Sequence, residues 1–134
     1  MKKIITLFLF IILLSCSDKT TIANNEIIGE WKLTKATLVN FSSNSTIDYS
    51  NQNITYNFLL NGKLLVSHDN VEHQKGEYQY ILEEDFLGAN TGSEEEKELL
   101  VKINNRKWTY RRTNNLMILG LSYIDGADLF FEKK

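Results

Sequence analysis

The stretch Ile54-Thr-Tyr-Asn-Phe-Leu-Leu60, followed at once by Asn61-Gly62 and then Lys63-Leu-Leu-Val-Ser67, constrains this chain most. Ile54, Tyr56, Phe58 and Leu60 recur at every second residue, which places them on one face of an extended strand. An Asn-Gly pair between two apolar runs is the strongest short hairpin signal, because both turn positions then favour positive φ. A two-residue loop sets Leu60 opposite Lys63 and Phe58 opposite Leu65. Residues 31–35, 76–82, 99–103, 108–112, 116–119 and 128–133 are further short β-like runs, several of them alternating. Polar segments at 104–107 and 113–115, and the pair Asp125-Gly126, supply connections between them. The chain contains no proline, so its turns fall to Gly, Asn and Asp. Regularly spaced short strands predict an all-β fold, a sandwich or a barrel. The only helical signal is one turn over residues 94–100, with Ser93 as N-cap and Glu96 as its capping-box partner.

The N-terminus reads differently. Lys2 and Lys3 precede an apolar run over residues 4–14, interrupted only by Thr6. That is the arrangement of a secretory signal peptide, and it is too short to span a bilayer as a helix, which takes roughly 20 apolar residues. The sole cysteine follows it. Leu13-Leu14-Ser15-Cys16 resembles the lipobox of bacterial lipoproteins, with Leu14 bulkier than the usual occupant of its place. The resemblance implies that Cys16 takes a diacylglyceryl group on sulfur, that the signal is cut before it, and that the new amine is acylated. The alternative is an ordinary signal peptide with an incidental cysteine. A single cysteine in an exported chain has no internal disulfide partner, and lipidation would remove its reactive thiol. Each buried CH₂ contributes about 0.8 kcal/mol, so three acyl chains would anchor the chain permanently. Ser17 after the cysteine resembles the sorting pattern for an outer membrane.

The expected organisation is therefore a signal peptide over 1–15, a lipidated cysteine with a polar tether over 16–27, and one domain over 28–134. A flexible tether of about ten residues would separate anchor and domain by roughly 18 Å. The chain carries 15 Lys and Arg against 17 Asp and Glu; loss of Lys2 and Lys3 leaves 13 against 17. That acidic balance argues against nucleic acid as a partner.

Gly29-Glu30-Trp31 on the first strand is similar to the Gly-x-Trp of lipocalins. Phe58, Asn61-Gly62-Lys63, then Gly76-x-Tyr78-x-Tyr80 and a closing aromatic strand resemble the small lipocalin-like domains of bacterial lipoproteins. The resemblance implies a small antiparallel up-and-down β-barrel of about eight strands over most of residues 27–133. Larger lipocalins pair the first-strand Trp with an Arg on the final strand; here no Arg lies beyond Arg112.

Five groups of residues are weighed for function. Trp31, Tyr56, Phe58, Tyr78, Tyr80, Trp108 and Tyr110 either line a pocket or fill a core; an eight-stranded barrel is just wide enough for side chains or one small ligand. Phe86 and Leu87, and Leu121, Tyr123 and Ile124, lie in connections where apolar residues form rim contacts or fold back over the core. His68 and His73, with Asp69 and Glu72 in one loop, are weak metal candidates; no recognised metal or cofactor motif supports them, and no cofactor is expected. Glu83-Glu84-Asp85 and Glu94-Glu95-Glu96 bracket a loop where water keeps carboxylates ordinary. Arg106, Lys107, Arg111 and Arg112 form the only basic cluster, and two adjacent strand arginines cannot both point inward. The expectation is a membrane-anchored envelope lipoprotein with a binding or interaction domain, its partner a small apolar ligand or another envelope protein. The alternatives are a purely structural filled barrel and a metal-dependent enzyme.

Overall fold

The computed structural model describes residues 26–40, 42–88 and 96–134. The expected signal peptide, Cys16 and the tether up to residue 25 lie outside these residues, as does the proposed N-cap Ser93. Among the described residues there are nine strands: β1 (Gly29–Asn40), β2 (Ser43–Asp48), β3 (Thr55–Phe58), β4 (Lys63–Val66), β5 (Gly76–Asp85), β6 (Glu98–Ile103), β7 (Arg106–Thr113), β8 (Leu116–Gly120) and β9 (Ala127–Lys133). All neighbours are antiparallel. The order β1-β3-β4-β5-β6-β7-β8-β9 closes on itself because β9 pairs with β1, from Trp31 opposite Lys133 to Leu38 opposite Ala127. The molecule is thus a closed eight-stranded up-and-down barrel with one extra strand. Closure removes the free edges that an open sheet would expose.

The extra strand was not legible in the sequence. β2 reads Ser-Asn-Ser-Thr-Ile-Asp and is almost wholly exposed, so it has no apolar alternation. It forms because β1 is long: Gly29–Lys32 pairs with β3, and Lys35–Asn40 extends further and pairs with β2. The capping-box helix is corrected in part, since Glu98, Leu99 and Leu100 belong to β6.

The β3–β4 hairpin is also corrected. Phe58 lies opposite Leu64, not Leu65, and Leu59 donates to the Lys63 carbonyl at 2.8 Å. The loop therefore has three residues, and Gly62 takes φ +80° while Asn61 stays negative. A turn closed by a glycine at positive φ consumes one residue more than a two-residue loop and shifts the register by one. Leu64 and Val66 consequently face the core, and Leu60 is turned out to solvent. Elsewhere Asn104 and Asn114 take positive φ in two-residue turns, as a chain without proline requires.

Trp31, Leu33, Tyr56, Phe58, Leu64, Leu82, Val101, Trp108, Met117, Leu129 and Phe131 meet inside the barrel. The two ends are closed differently. Where the chain enters β1, Ile27 is fully buried and its carbonyl accepts the Trp31 indole N–H at 2.8 Å. At the far end the loop between β4 and β5 folds inward. Glu72 pins it: one carboxylate oxygen accepts from Arg106 at 2.9 Å, the other from the Ala127 backbone N–H at 2.9 Å. This ties the loop to the start of both β7 and β9.

Removing the Glu72 carboxylate leaves the Ala127 N–H without its partner. Glu72→Ala is expected to cost about 2 kcal/mol, read as a lower urea midpoint with an unchanged slope.

Candidate functional site

The first-strand tryptophan has cations over it, from places the sequence did not announce. Lys133 Nζ sits 4.5 Å from the Trp31 ring centroid, and the Arg112 guanidinium carbon 5.5 Å. Lys133 also donates to the Ile28 carbonyl at 2.7 Å. Inward parity on β9 places it there: Leu129, Phe131 and Lys133 share one face. So a lysine on the last strand and an arginine on β7 stand where no last-strand arginine exists. Burial, with help from the Arg112 charge, lowers the Lys133 pKa. Gly29 fits the same clamp. It has φ +116°, and a Cβ there would lie 2.6 Å from Lys133 Nζ.

At the far end the two loop histidines part company. His68 is exposed, with Nδ1 2.9 Å from the Ser67 hydroxyl. His73 is buried, only 7% exposed. Its ring stacks on Trp108 at 5.3 Å and meets Tyr56 and Tyr78 edge-on at 5.5 and 5.0 Å. Tyr56 Oη contacts both His73 Nδ1 at 2.8 Å and Asn70 Oδ1 at 3.1 Å. Asn70 Oδ1 already accepts the Glu72 and His73 backbone N–H groups. Tyr56 has one proton to give, and an amide oxygen can only accept. The network is satisfied when Nδ1–H donates to Oη and Oη donates to Asn70. Among the described residues no three His, Cys, Asp or Glu gather as a metal site would need. The loop is thus an aromatic plug whose members, Asn70 and Glu72, gain meaning only once it folds inward.

The candidate aromatics divide. Trp31, Tyr56, Phe58, Tyr80 and Trp108 are buried; Tyr78 and Tyr110 are half-buried and pack against them. Tyr80 meets Phe58 edge-on at 4.9 Å and donates to the Leu59 carbonyl. Two polar atoms on the inner face of β7 are buried: Trp108 Nε1 has no hydrogen-bond partner among the described residues, and Tyr110 Oη lies beside the Arg112 guanidinium. An orphan such as the indole N–H is uncommon, since it costs about 1–3 kcal/mol.

The candidate rim residues converge on one lysine. Lys107 Nζ donates to the Phe86 carbonyl, and Tyr123 Oη donates to the Lys107 carbonyl at 2.7 Å. Phe86 and Leu87 are half-buried, with Lys97 Nζ 5.4 Å from the Phe86 ring. Tyr123 and Ile124 are exposed, while Leu121 is fully buried. The carboxylates beside Phe86 are neutralised: Lys102 bridges Glu83 and Asp85, and Lys107 reaches Asp85 at 3.0 Å. These ammonium groups, with the Phe86 N–H, hold the Asp85 carboxyl well below its usual range. The basic cluster of the sequence is dispersed. Arg106 serves Glu72, Lys107 serves Asp85, Arg112 caps Trp31, and Arg111 alone faces outward on the far side.

A groove of about 390 Å³ lies outside the barrel, across β7, β8, β9 and β1. Leu116, Ile118 and Phe130 form its floor, with Lys35 and Arg111 on either side. A β-bulge between Leu33 and Lys35 makes room for it by turning Thr34 and Lys35 outward together.

No family model, curated protein or solved structure matches this chain.

Two predictions follow from the clamp and the plug. Gly29→Ala forces an unfavourable φ and displaces Lys133, with an expected loss of about 1–3 kcal/mol by chemical denaturation. Burial, and secondarily the Arg106 charge, lower the His73 pKa to about 4 from 6.5. The unfolded chain then binds the extra proton between those values, so stability falls as pH drops through that window. The fall is about 3 kcal/mol from pH 7 to pH 4. The difference between the native chain and His73→Gln, followed by urea melts across that range, isolates it from the carboxylates.

Proposed function

We propose that this chain is a bacterial envelope lipoprotein: a lipid anchor at Cys16, a short polar tether, and a lipocalin-like barrel acting as a binding module. The anchor rests on the lipobox-like Leu13-Leu14-Ser15-Cys16, and Ser17 favours the outer membrane. The lipocalin-like reading rests on the closed eight-stranded barrel together with the cation-capped Trp31 of its Gly-x-Trp. In this reading the domain binds and does not catalyse, and its partners exclude nucleic acid.

The observation that carries the binding reading is the buried polar pair on β7. Among the described residues Trp108 Nε1 has no hydrogen-bond partner, and two residues along the same strand face the Tyr110 hydroxyl is buried beside the Arg112 guanidinium. A small, mainly apolar molecule carrying one acceptor group would meet both within an aromatic wall. A second reading is favoured by the filling of the barrel. With Trp31, Tyr56, Phe58, Trp108 and Phe131 buried together, the module acts through its outer surface on another envelope component.

Native mass spectrometry of residues 17–134, incubated with host envelope extract, separates the two. A discrete added mass that Trp108→Phe reduces at least tenfold is the expected result for an interior ligand. A bare monomer mass, unchanged by that substitution, directs the function to the outer surface.

A further inference from the structure

The charges of this barrel are sorted around its circumference. In the strand order, β9 lies diametrically across from β5. The wall built by β9, its neighbours β8 and β1, and the end of β7 carries Lys32, Lys35, Arg111 and Lys134 on its outer side, while Arg112 and Lys133 turn inward to Trp31. Its exposed acids are fewer: Glu30, which pairs with Lys134 at 2.8 Å, and Glu132. Asp128 on the same wall is turned to the Leu121 and Ser122 N–H groups. Among the described residues, Lys32, Lys35 and Arg111 form no ion pair, and Lys32 Nζ donates to the Ser50 carbonyl at 2.8 Å. The opposite wall, β5 and β6, carries Glu77, Glu83, Glu84, Asp85 and Glu98, and its Lys102 is committed to two of them. A domain that is acidic overall therefore has one basic side.

That side is also apolar at its centre. Across the outer faces run two rows of cross-strand neighbours. One is Lys35, Phe130, Ile118 and Arg111; the next is Lys32, Glu132, Leu116 and Thr113. Lys35 Nζ lies 4.4 Å from the Phe130 ring, and Leu116 is 51% exposed. Apolar side chains flanked by long cations are the composition of a surface that sits at the headgroup level of a bilayer. The chain also arrives on this wall, since Gly29 opens β1 thirteen residues after Cys16. About thirteen extended residues reach no further than roughly 45 Å.

We propose that the β8–β9–β1 wall docks on an anionic lipid surface, with Lys32, Lys35 and Arg111 at the phosphates and Leu116 and Phe130 against the headgroup boundary. The orientation rests on the Cys16 anchor; the affinity does not. Docking fixes which side of the barrel faces the membrane, and it turns the acidic β5–β6 wall towards the aqueous phase. Acyl chains alone leave a tethered domain free to tumble, whereas each cation held near an anionic leaflet adds about fivefold to association.

The test uses unlipidated residues 17–134, which contain the whole described barrel and its core. The protein is mixed at low salt with vesicles of phosphatidylcholine alone, or of phosphatidylcholine with phosphatidylglycerol. Sedimentation with the anionic vesicles only, lost as salt rises, is expected. Lys35→Gln with Arg111→Gln should weaken it about 25-fold, at about fivefold per cation. Tryptophan reporters locate the contact. Leu116→Trp should shift to the blue on anionic vesicles, and Ile81→Trp, 44% exposed on β5, should not. No sedimentation, sedimentation unaffected by the double substitution, or a shift at position 81 instead of 116 overturns the proposal. So does a concentration-dependent dimer, broken by Leu116→Asp, in place of vesicle binding, because a second copy then covers the wall. The anchor fails separately: intact mass of the chain made in its host, without added lipid on Cys16, overturns that reading and leaves the vesicle result standing.

Discussion

Pairing of the first and last strands is the constraint on which everything else depends. β1 and β9 meet along seven residue pairs, and their side chains interlock at Trp31. The indole is held from three sides: the Ile27 carbonyl takes its N–H, Lys133 lies over its face, and Arg112 approaches from β7. Lys133 and Ile28 are 105 residues apart in sequence, so this contact forms only when the barrel is complete. Closing so long a loop carries a large entropic cost, which only the combined burial of the interior can offset. A cation on an aromatic face contributes modestly by itself, about 0.5–2 kcal/mol, but here it also fills the space that Gly29 leaves open.

Closure in turn decides how the ends are sealed. At the β1 end a single isoleucine is enough, because the clamp already narrows the opening. At the far end a whole loop enters, and it brings a histidine into an aromatic cage. Burying an imidazole there is tolerable only in the neutral state and with its Nδ1 partnered, which Tyr56 and Asn70 arrange. The interior that results is aromatic, and among the described residues the Trp108 indole N–H on β7 is left without a partner. The outer wall, free of such demands, carries the segregated charges.

Most of the strands were legible because alternation survives wherever one face is buried and the other wet. Residues 31–35, 54–60, 76–82 and 128–133 show it plainly. β2 was not legible, since apart from Ile47, which packs against the core, its side chains are exposed and β1 is its only pairing partner among the described strands. The β3–β4 register was misread by one residue because Asn-Gly admits more than one turn, and the choice is made by which of Leu64 or Leu65 the core accepts. Trp31 and Trp108 could be named as core or pocket. Their separate fates, one satisfied by Ile27 and one unpartnered, depend on neighbours distant in sequence. Lys133 could have been placed inward by parity with Leu129 and Phe131, but a lysine at a chain end reads as solvated.

By itself, then, the sequence determined the strand period and the turn chemistry of a chain without proline, because these are local and depend on residues a few positions apart. Only the tertiary structure decided that His68 and His73 part, that the four clustered basic residues serve three different partners and one open wall, and that the outward cations of β1 and the end of β7 flank β8 and β9, across from the acids on β5 and β6. Those outcomes follow from curling a flat alternating pattern into a closed cylinder. Once β9 meets β1, residues far apart along the chain share a face, and residues adjacent in sequence point to opposite sides of the wall.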